Sequence, residues 1–167
     1  MELFDAIKTR RSIRRYEEGF VVPFEELQKI IEAGMYAPSA MRKMPWEFLV
    51  ITDQTILDKI EKEHQYASFA TSAGAMIAVC EDVRASHAGM GVIDVSMAAQ
   101  NMMLAAHAMG YGTCFCGVYP QTDAKFGILL NVPEYIRIVG FISIGKTIET
   151  KGHQERYDPL KVHVNRW

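Results

Sequence analysis

Apolar residues recur along this chain at two periods, and the switches between them mark its elements. Leu3, Phe4 and Ile7 fall at helical spacing, so residues 2–10 read as a short helix. Phe20-Val21-Val22-Pro23 reads as an extended connector. Phe24–Ala37 follows as a second helix, with Leu27, Ile30, Ile31 and Gly34 on one face and Pro38 as its stop. Ser39–Pro45 reads as a loop and Trp46–Thr52 as a strand, closed by a polar turn at Asp53-Gln54. Gln54–Glu63 suits an amphipathic helix, with Ile56, Leu57 and Ile60 opposed by Asp58, Lys59, Glu61 and Lys62. His64–Ser72 carries no assignment. Ala75–Cys80 is apolar on both faces, which predicts an internal strand, and Glu81–Gly91 reads as a polar loop.

Val92–Met109 is the longest helical pattern and is apolar nearly all round, so it is expected to be buried on most sides. A chain this small rarely buries a helix completely, which points to a subunit interface. A central core helix in a monomer is the alternative. Asp94, Gln100, Asn101 and His107 interrupt it, and hydrogen bonds to neighbouring helices are the expected partners. Gly110-Tyr111-Gly112 stops the helix. Thr113–Val118 then reads as a strand, Thr122–Leu130 as a short helix, Ile136–Gly145 as the strongest strand and Thr147–Pro159 as a polar loop. Leu160–Trp167 alternates weakly and is expected to be an extended arm ending in an aromatic anchor.

Composition narrows the class. A length of 167 residues with 49% apolar content suits one domain, 1–167, with a real core. A net charge of −2 and a pI near 6.2 argue against a nucleic-acid binder. No apolar run has signal-peptide form or approaches the roughly 20 residues of a membrane span. Three cysteines without framework spacing point to reduced thiols in a cytoplasmic protein.

Against this mildly acidic background, Thr9-Arg10-Arg11-Ser12-Ile13-Arg14-Arg15 is a local basic cluster. A guanidinium matches a phosphate by bidentate hydrogen bonds. A phosphate socket for a cofactor and a solvated basic turn are both open on this stretch alone. Pro38, Ser39 and Ala40 form a helix–loop junction of small residues that would let a flat ligand approach the backbone. Gly117, after Phe115 and Cys116, would do the same at a strand end. Cys114 and Cys116 share one side of that strand, but the histidines at 64, 87, 107, 153 and 163 are scattered, so a metal site is not expected. No spacing suggests a nucleophile with its base, and no Walker-type or G-x-G-x-x-G loop occurs. Arg156 is an isolated cation that matters only if the fold brings it to the arginine cluster.

The pieces occur in a telling order. Arg10-Arg11-Ser12-Ile13-Arg14 comes first, then Ala37-Pro38-Ser39-Ala40 and Pro45-Trp46-Glu47-Phe48. Asp94 precedes Ala98-Ala99-Gln100-Asn101-Met102-Met103-Leu104-Ala105-Ala106. Met109-Gly110-Tyr111-Gly112-Thr113-Cys114 follows, then Gly140-Phe141-Ile142-Ser143-Ile144-Gly145 and Arg156. Together these resemble the FMN-dependent nitroreductase family in its compact form, over nearly the whole chain.

The resemblance implies an α+β fold with a central, mostly antiparallel sheet flanked by helices. It also implies an intertwined homodimer that exchanges its C-terminal arms and holds FMN at the interface. In that family pattern Arg10, Ser12 and Arg14 contact FMN, with Arg11 close by. Arg156 completes the phosphate socket, with Gly145 near it. Pro38, Ser39 and Ala40 come from the other subunit, and Phe115, Cys116 and Gly117 back the ring. The loop departs from the family in carrying Arg42 and Met44 where Asn and Gln are usual. Met44 cannot make the amide's hydrogen bonds, whereas Arg42 and Lys43 favour an anionic substrate. The chain is also expected to lack the helical excursion that covers the flavin in longer members. The implied activity is reduction of nitroaromatics, quinones or similar small-molecule acceptors by NADH or NADPH, with ping-pong kinetics and no catalytic side chain. Enone reduction, dehalogenation, a non-catalytic flavin sensor and a Cys114/Cys116 thiol-redox protein are the rivals.

Overall fold

The structure is a computed structural model that describes residues 1–152 and 154–167. His153, one of the scattered histidines and part of the expected loop Thr147–Pro159, lies outside the described residues. Four strands, β1 (Trp46–Ile51), β2 (Ala75–Asp82), β3 (Gly112–Gly117) and β4 (Ile136–Gly145), form one sheet in the order β1-β2-β4-β3. All three pairings are antiparallel. Five helices accompany it: α1 (Leu3–Thr9), α2 (Phe24–Met35), α3 (Gln54–Glu63), α4 (Gly91–Ala108) and α5 (Pro120–Leu130). The chain is thus α+β, as expected.

Strand β2 sits inside the sheet because both its faces are apolar. Met76, Ala78 and Cys80 join Leu57, Ile60 and Phe126 in one core. Ala75, Ile77 and Val79 join Leu27, Ile30, Val95 and Met102 in the other. The period-2 alternation of one strand therefore feeds two helical layers, α3 and α5 on one side and α2 and α4 on the other. Asp53 opens α3 by accepting from the Thr55 and Ile56 amides at 2.8 and 3.1 Å.

Several expected bounds shift for local reasons. Helix α2 stops at Met35 rather than Ala37, because a residue before proline is driven out of the helical region. Strand β2 runs to Asp82 rather than Cys80, since buried Glu81 accepts from Arg137 Nε of β4 at 2.9 Å. Helix α5 starts at Pro120 rather than Thr122, where proline's missing N–H costs nothing. The loop at 39–45 contains a turn of 3₁₀ helix at Ala40–Arg42, and the unassigned stretch another at Ala70–Ser72. The tail is not uniformly extended. It turns at Pro159–Lys161, where Asp158 accepts from the Leu160 amide at 3.0 Å. Trp167 stacks on His163 at 4.1 Å, and both remain exposed.

Helix α4 buries one face, with eight of its 18 residues buried, rather than most sides as expected: Val92, Ile93 and Met97 are exposed. Its polar residues behave largely as expected. Asn101 donates to the Ala33 carbonyl of α2 at 3.3 Å, and His107 meets the Thr9 hydroxyl of α1 at 2.8 Å. Asp94 accepts from the Ala40 amide at 3.0 Å, and Gln100 is exposed. Among the described residues no helix is long and apolar enough to cross a membrane.

The register of β4 slips opposite Val79 and Cys80, and Gly140 lies at that irregularity. A Cβ there would stand 2.5 Å from the Phe115 ring and 2.9 Å from the Cys116 carbonyl. Gly140→Ala is therefore expected to lower unfolding stability by about 2 kcal/mol through overpacking against backbone. A urea midpoint equal to wild type would show that the strand yields freely instead.

Candidate functional site

Helix α1 ends when Arg10 turns extended, at φ −56° and ψ 132°. The chain then runs along the open edge of β3. Ser12 forms a parallel bridge with Thr113, and the Ile13 amide donates to the Thr113 carbonyl at 2.8 Å. The buried Tyr16 hydroxyl donates to the Ile13 carbonyl at 2.7 Å and lies 2.7 Å from Ser143 Oγ on β4. Burial holds the Tyr16 phenol well above its usual titration range, so it stays a donor.

An extended segment sends alternate side chains to opposite sides. Arg14 lines a cavity with Cys114 and Cys116, and the Ser12 hydroxyl reaches the Cys114 thiol. Arg11 and Ile13 line a different cavity, with His107 and Tyr111. Arg11 is nearly buried, and its Nη1 donates to the Lys8 and Arg10 carbonyls at 2.7 and 2.9 Å. It closes the end of α1, where the last carbonyls lack partners.

Arg10 stands apart electrostatically. Burial, then the Arg156 and Arg11 guanidinium groups, press its pKa down. The fold therefore does bring Arg156 to the arginine cluster. Lys151 adds a further cation, with Nζ donating to the Ser12 carbonyl. Glu149 is an acid in this group. It accepts from the Arg14 amide at 2.6 Å and lies 3.5 Å from Lys151. Burial opposes its ionisation, but those donors prevail and hold its carboxyl below the usual range. Glu149 thus pairs with Lys151 and the Arg14 backbone, while Arg10 and Arg156 influence each other.

Beside them is a cavity of about 400 Å³ lined by Arg14, Tyr66, Ser68, Phe69 and residues 114–117 of β3. Phe115, Cys116 and Gly117 are at this wall, as the sequence suggested. Tyr66, Ser68 and Phe69 were missed because they fall in the stretch without periodicity. Their signal is the pair of aromatic rings set among small residues just before a strand. Lys151 and Glu149 were also missed, inside a loop that looked merely polar. Cys114 is held below its usual range by its hydrogen bond with Cys116 and by Arg14, while the same bond and burial push Cys116 up. Gly145 does not reach the cavity. It lies under Tyr16, where a Cβ would stand 2.8 Å from the ring.

The second group of expected residues is elsewhere. Ala40 is tied to Asp94 in the first turn of α4, whereas Thr9, next to Arg10, is tied to His107 in its last turn. Thirteen residues of helix separate the two anchors, about 20 Å at 1.5 Å per residue. Pro38, Ser39, Ala40, Arg42 and Met44 of one chain therefore lie at the far end of α4 from Arg10, Ser12 and Arg14. Their loop is tightly shaped: Ser39 Oγ accepts from the Met44 amide at 2.9 Å, and Met41, Arg42 and Met44 all have positive φ.

The fold and this edge define a class, an α+β protein with a basic cluster beside a cavity of about 400 Å³. The model of the Nitroreductase family matches residues 7–67 and 61–146. A protein of Methanothermobacter thermautotrophicus, named provisionally as an NADH dehydrogenase/NAD(P)H nitroreductase, is 39% identical over 100% of this chain and 88% of its own. The crystal structure of a protein with the same provisional name from Parabacteroides distasonis gives a TM-score of 0.94. It is 31% identical, over 99% of this chain and 98% of that one. An FMN-dependent nitroreductase from Clostridium difficile gives 0.90 at 30% identity, over 98% and 99%. The chain belongs to the nitroreductase family.

The two faces of the basic segment make opposite demands on stability. Arg11→Met is expected to lower unfolding stability by about 1–2 kcal/mol, through two lost hydrogen bonds at the end of α1. Arg10→Met is expected to leave the apoprotein's urea midpoint unchanged or raise it, because it removes a cation facing Arg156. Equal losses in the two variants would contradict this division.

Proposed function

We propose that the protein is an FMN-dependent oxidoreductase that uses NADH or NADPH to reduce electron-poor acceptors, such as nitroaromatics or quinones. In this reading residues 1–167 act as one domain in a cytoplasmic homodimer. The observation that carries it is the basic cluster beside the 400 Å³ cavity: Arg14 lines the cavity, Arg10 feels both Arg156 and the wall residue Cys114, and Lys151 Nζ donates to the Ser12 carbonyl. Guanidinium groups held against one another favour a bound anion between them, and a phosphate suits their forked geometry. The cavity volume is in the range of small-molecule and cofactor sites. The residues present therefore fit FMN.

Arg10, Ser12, Arg14 and Arg156 would hold the phosphate and the polar side of the cofactor. Tyr66, Phe69 and the β3 residues Phe115, Cys116 and Gly117 would enclose the ring. Arg11 and Gly145 would act indirectly, by fixing the end of α1 and the seat of Tyr16. The separation along α4 supports assigning the loop contacts to Pro38, Ser39 and Ala40 of the partner subunit, with Arg42 and Met44 of the partner subunit at the rim. The exposed Val92, Ile93 and Met97 offer an apolar surface for that pairing. The exposed Leu160, Val162, Val164 and Trp167 suit an arm that packs on another chain.

The chemistry FMN supplies when bound is two-electron transfer from NAD(P)H to the acceptor. The chain positions both partners in turn above one cavity, which gives ping-pong kinetics. Arg14 and a backbone N–H near Gly117 stabilise negative charge that develops there. No side-chain acid or base is required.

Purified protein is expected to be yellow, and to oxidise NADH or NADPH steadily in the presence of a nitroaromatic or a quinone. Arg10→Ala or Arg14→Ala is expected to weaken FMN binding by about tenfold or more, the worth of a charged hydrogen bond, while Arg15→Ala changes it little. Replacing both Cys114 and Cys116 by Ser should preserve turnover. Colourless protein that cannot be reconstituted with FMN would refute the cofactor. Bound flavin without NAD(P)H oxidation would refute the reductase.

A further inference from the structure

We infer that His64 is a positioning residue that sets the spacing between two segments of the ring cavity's wall, and that its neutral Nε2–H form is the one that does so. The inference rests on the FMN reading above. His64 closes α3 and is buried, with its side chain aimed between two segments. Its Nδ1 accepts from the Tyr66 amide at 3.2 Å, and its Nε2 lies 3.1 Å from the Gly117 carbonyl. An N–H facing Nδ1 and a carbonyl facing Nε2 fix the tautomer, since only a proton on Nε2 satisfies both.

The two partners belong to different segments of the cavity wall. Tyr66 lies in the 64–72 stretch and Gly117 ends β3, and both line the 400 Å³ cavity. One imidazole thus ties the two segments together. Cys116 Sγ reinforces the tie by donating to the Tyr66 carbonyl at 3.6 Å. The ring cannot drift, because Phe126 and Phe141 pack on it with centroids 5.6 and 6.0 Å away. A histidine that merely filled the core would not need both nitrogens committed to the backbone of two segments of the cavity wall.

The tie depends on protonation state. The titratable groups around the imidazole are Glu63 on its own helix, paired with Lys125 of α5; Tyr66 in the loop; Tyr119 at the head of α5; and Cys116 on β3. Burial is the largest influence on His64 and lowers its pKa below the ordinary 6.5. Protonation places N–H on Nδ1 against the Tyr66 N–H, donor against donor. The folded state favours the neutral ring, so its contribution is complete above pH 6.5 and is lost as pH falls through the lowered pKa.

The test measures FMN affinity and the flavin absorption spectrum from about pH 5 to about 8 for wild type, His64→Gln and His64→Phe. Gln offers one acceptor and one donor but does not titrate, whereas Phe keeps the ring and loses both hydrogen bonds. His64→Gln is expected to bind within about threefold of wild type at neutral pH, and His64→Phe about tenfold more weakly with a shifted spectrum. Relative to His64→Gln, which shares the phosphate's own titration, wild type should lose affinity in acid. The inference is overturned if His64→Phe matches wild type in affinity and spectrum, or if His64→Gln keeps the wild-type pH profile. If His64→Phe does not fold, the Gln comparison decides alone. The imidazole nitrogen chemical shifts of the apoprotein give a reading that needs no flavin. A proton on Nδ1 overturns the inference, whereas failure of wild type to bind FMN overturns only the cofactor assignment.

Discussion

The site depends on one piece of backbone pairing, the extended run from Ser12 to Tyr16 laid against the edge of β3. Two bridges and the Tyr16 hydroxyl fix its register, one end at Thr113 and the other at Thr147 and Ser143. In extended chain a slip of one residue exchanges every side chain between the two sides. With this register Ser12 and Arg14 face Cys114 and Cys116, while Arg11 and Ile13 turn inward. Shifted by one, Arg11 would enter the cavity and Ser12 would meet the core. The tight packing under Tyr16, where Gly145 leaves room for the ring, is thus a condition for sorting the arginines at all.

Helix α4 imposes the second constraint. It is rigid, about five turns long, and anchors a different group at each end: Asp94 holds Ala40, and His107 holds Thr9. A helix in contact with the sheet along this length cannot bend to bring its two ends together. The loop residues and the arginine cluster therefore do not meet within one chain. The same helix exposes Val92, Ile93 and Met97, so the proposed dimer would cover apolar surface with the element that separates the two half-sites.

Legibility in the sequence followed locality. Strand β4 is readable to the residue, because Ile136–Gly145 is rich in β-branched residues and ends at a glycine. The central position of β2 follows from apolar residues on both faces. The arginine cluster is visible as a cluster, but its division into two faces is not, since that depends on pairing with β3 more than 90 residues away. Tyr66, Ser68 and Phe69 lack a period because they belong to no regular element. Only their neighbours in space give them meaning. Lys151 and Glu149 are hidden for the same reason: a polar loop has no pattern from which folding back over Ser12 and Arg14 can be read. Arg156 shows how far local reading extends, since it is a candidate in the sequence and gains significance only from its approach to Arg10.

Where the chain departs from its own stability optimum is also informative. Met41, Arg42 and Met44 hold left-handed conformations within four residues, each costing a non-glycine residue about 1–2 kcal/mol. Asp94 is buried with one oxygen engaged by Ala40 and the other, Oδ2, without a protein partner. Arg10 faces Arg156 across the socket. None of these arrangements stabilises an isolated chain. The loop is held in its shape by Ser39 and Asp94, and the cations by the backbone pairing on either side of them. A fold selected for stability alone would relax both, with glycine in the loop and a neutral residue at Arg10. In the proposed dimer the missing favourable terms come from outside the chain: an anion for the arginines and a second subunit for the loop.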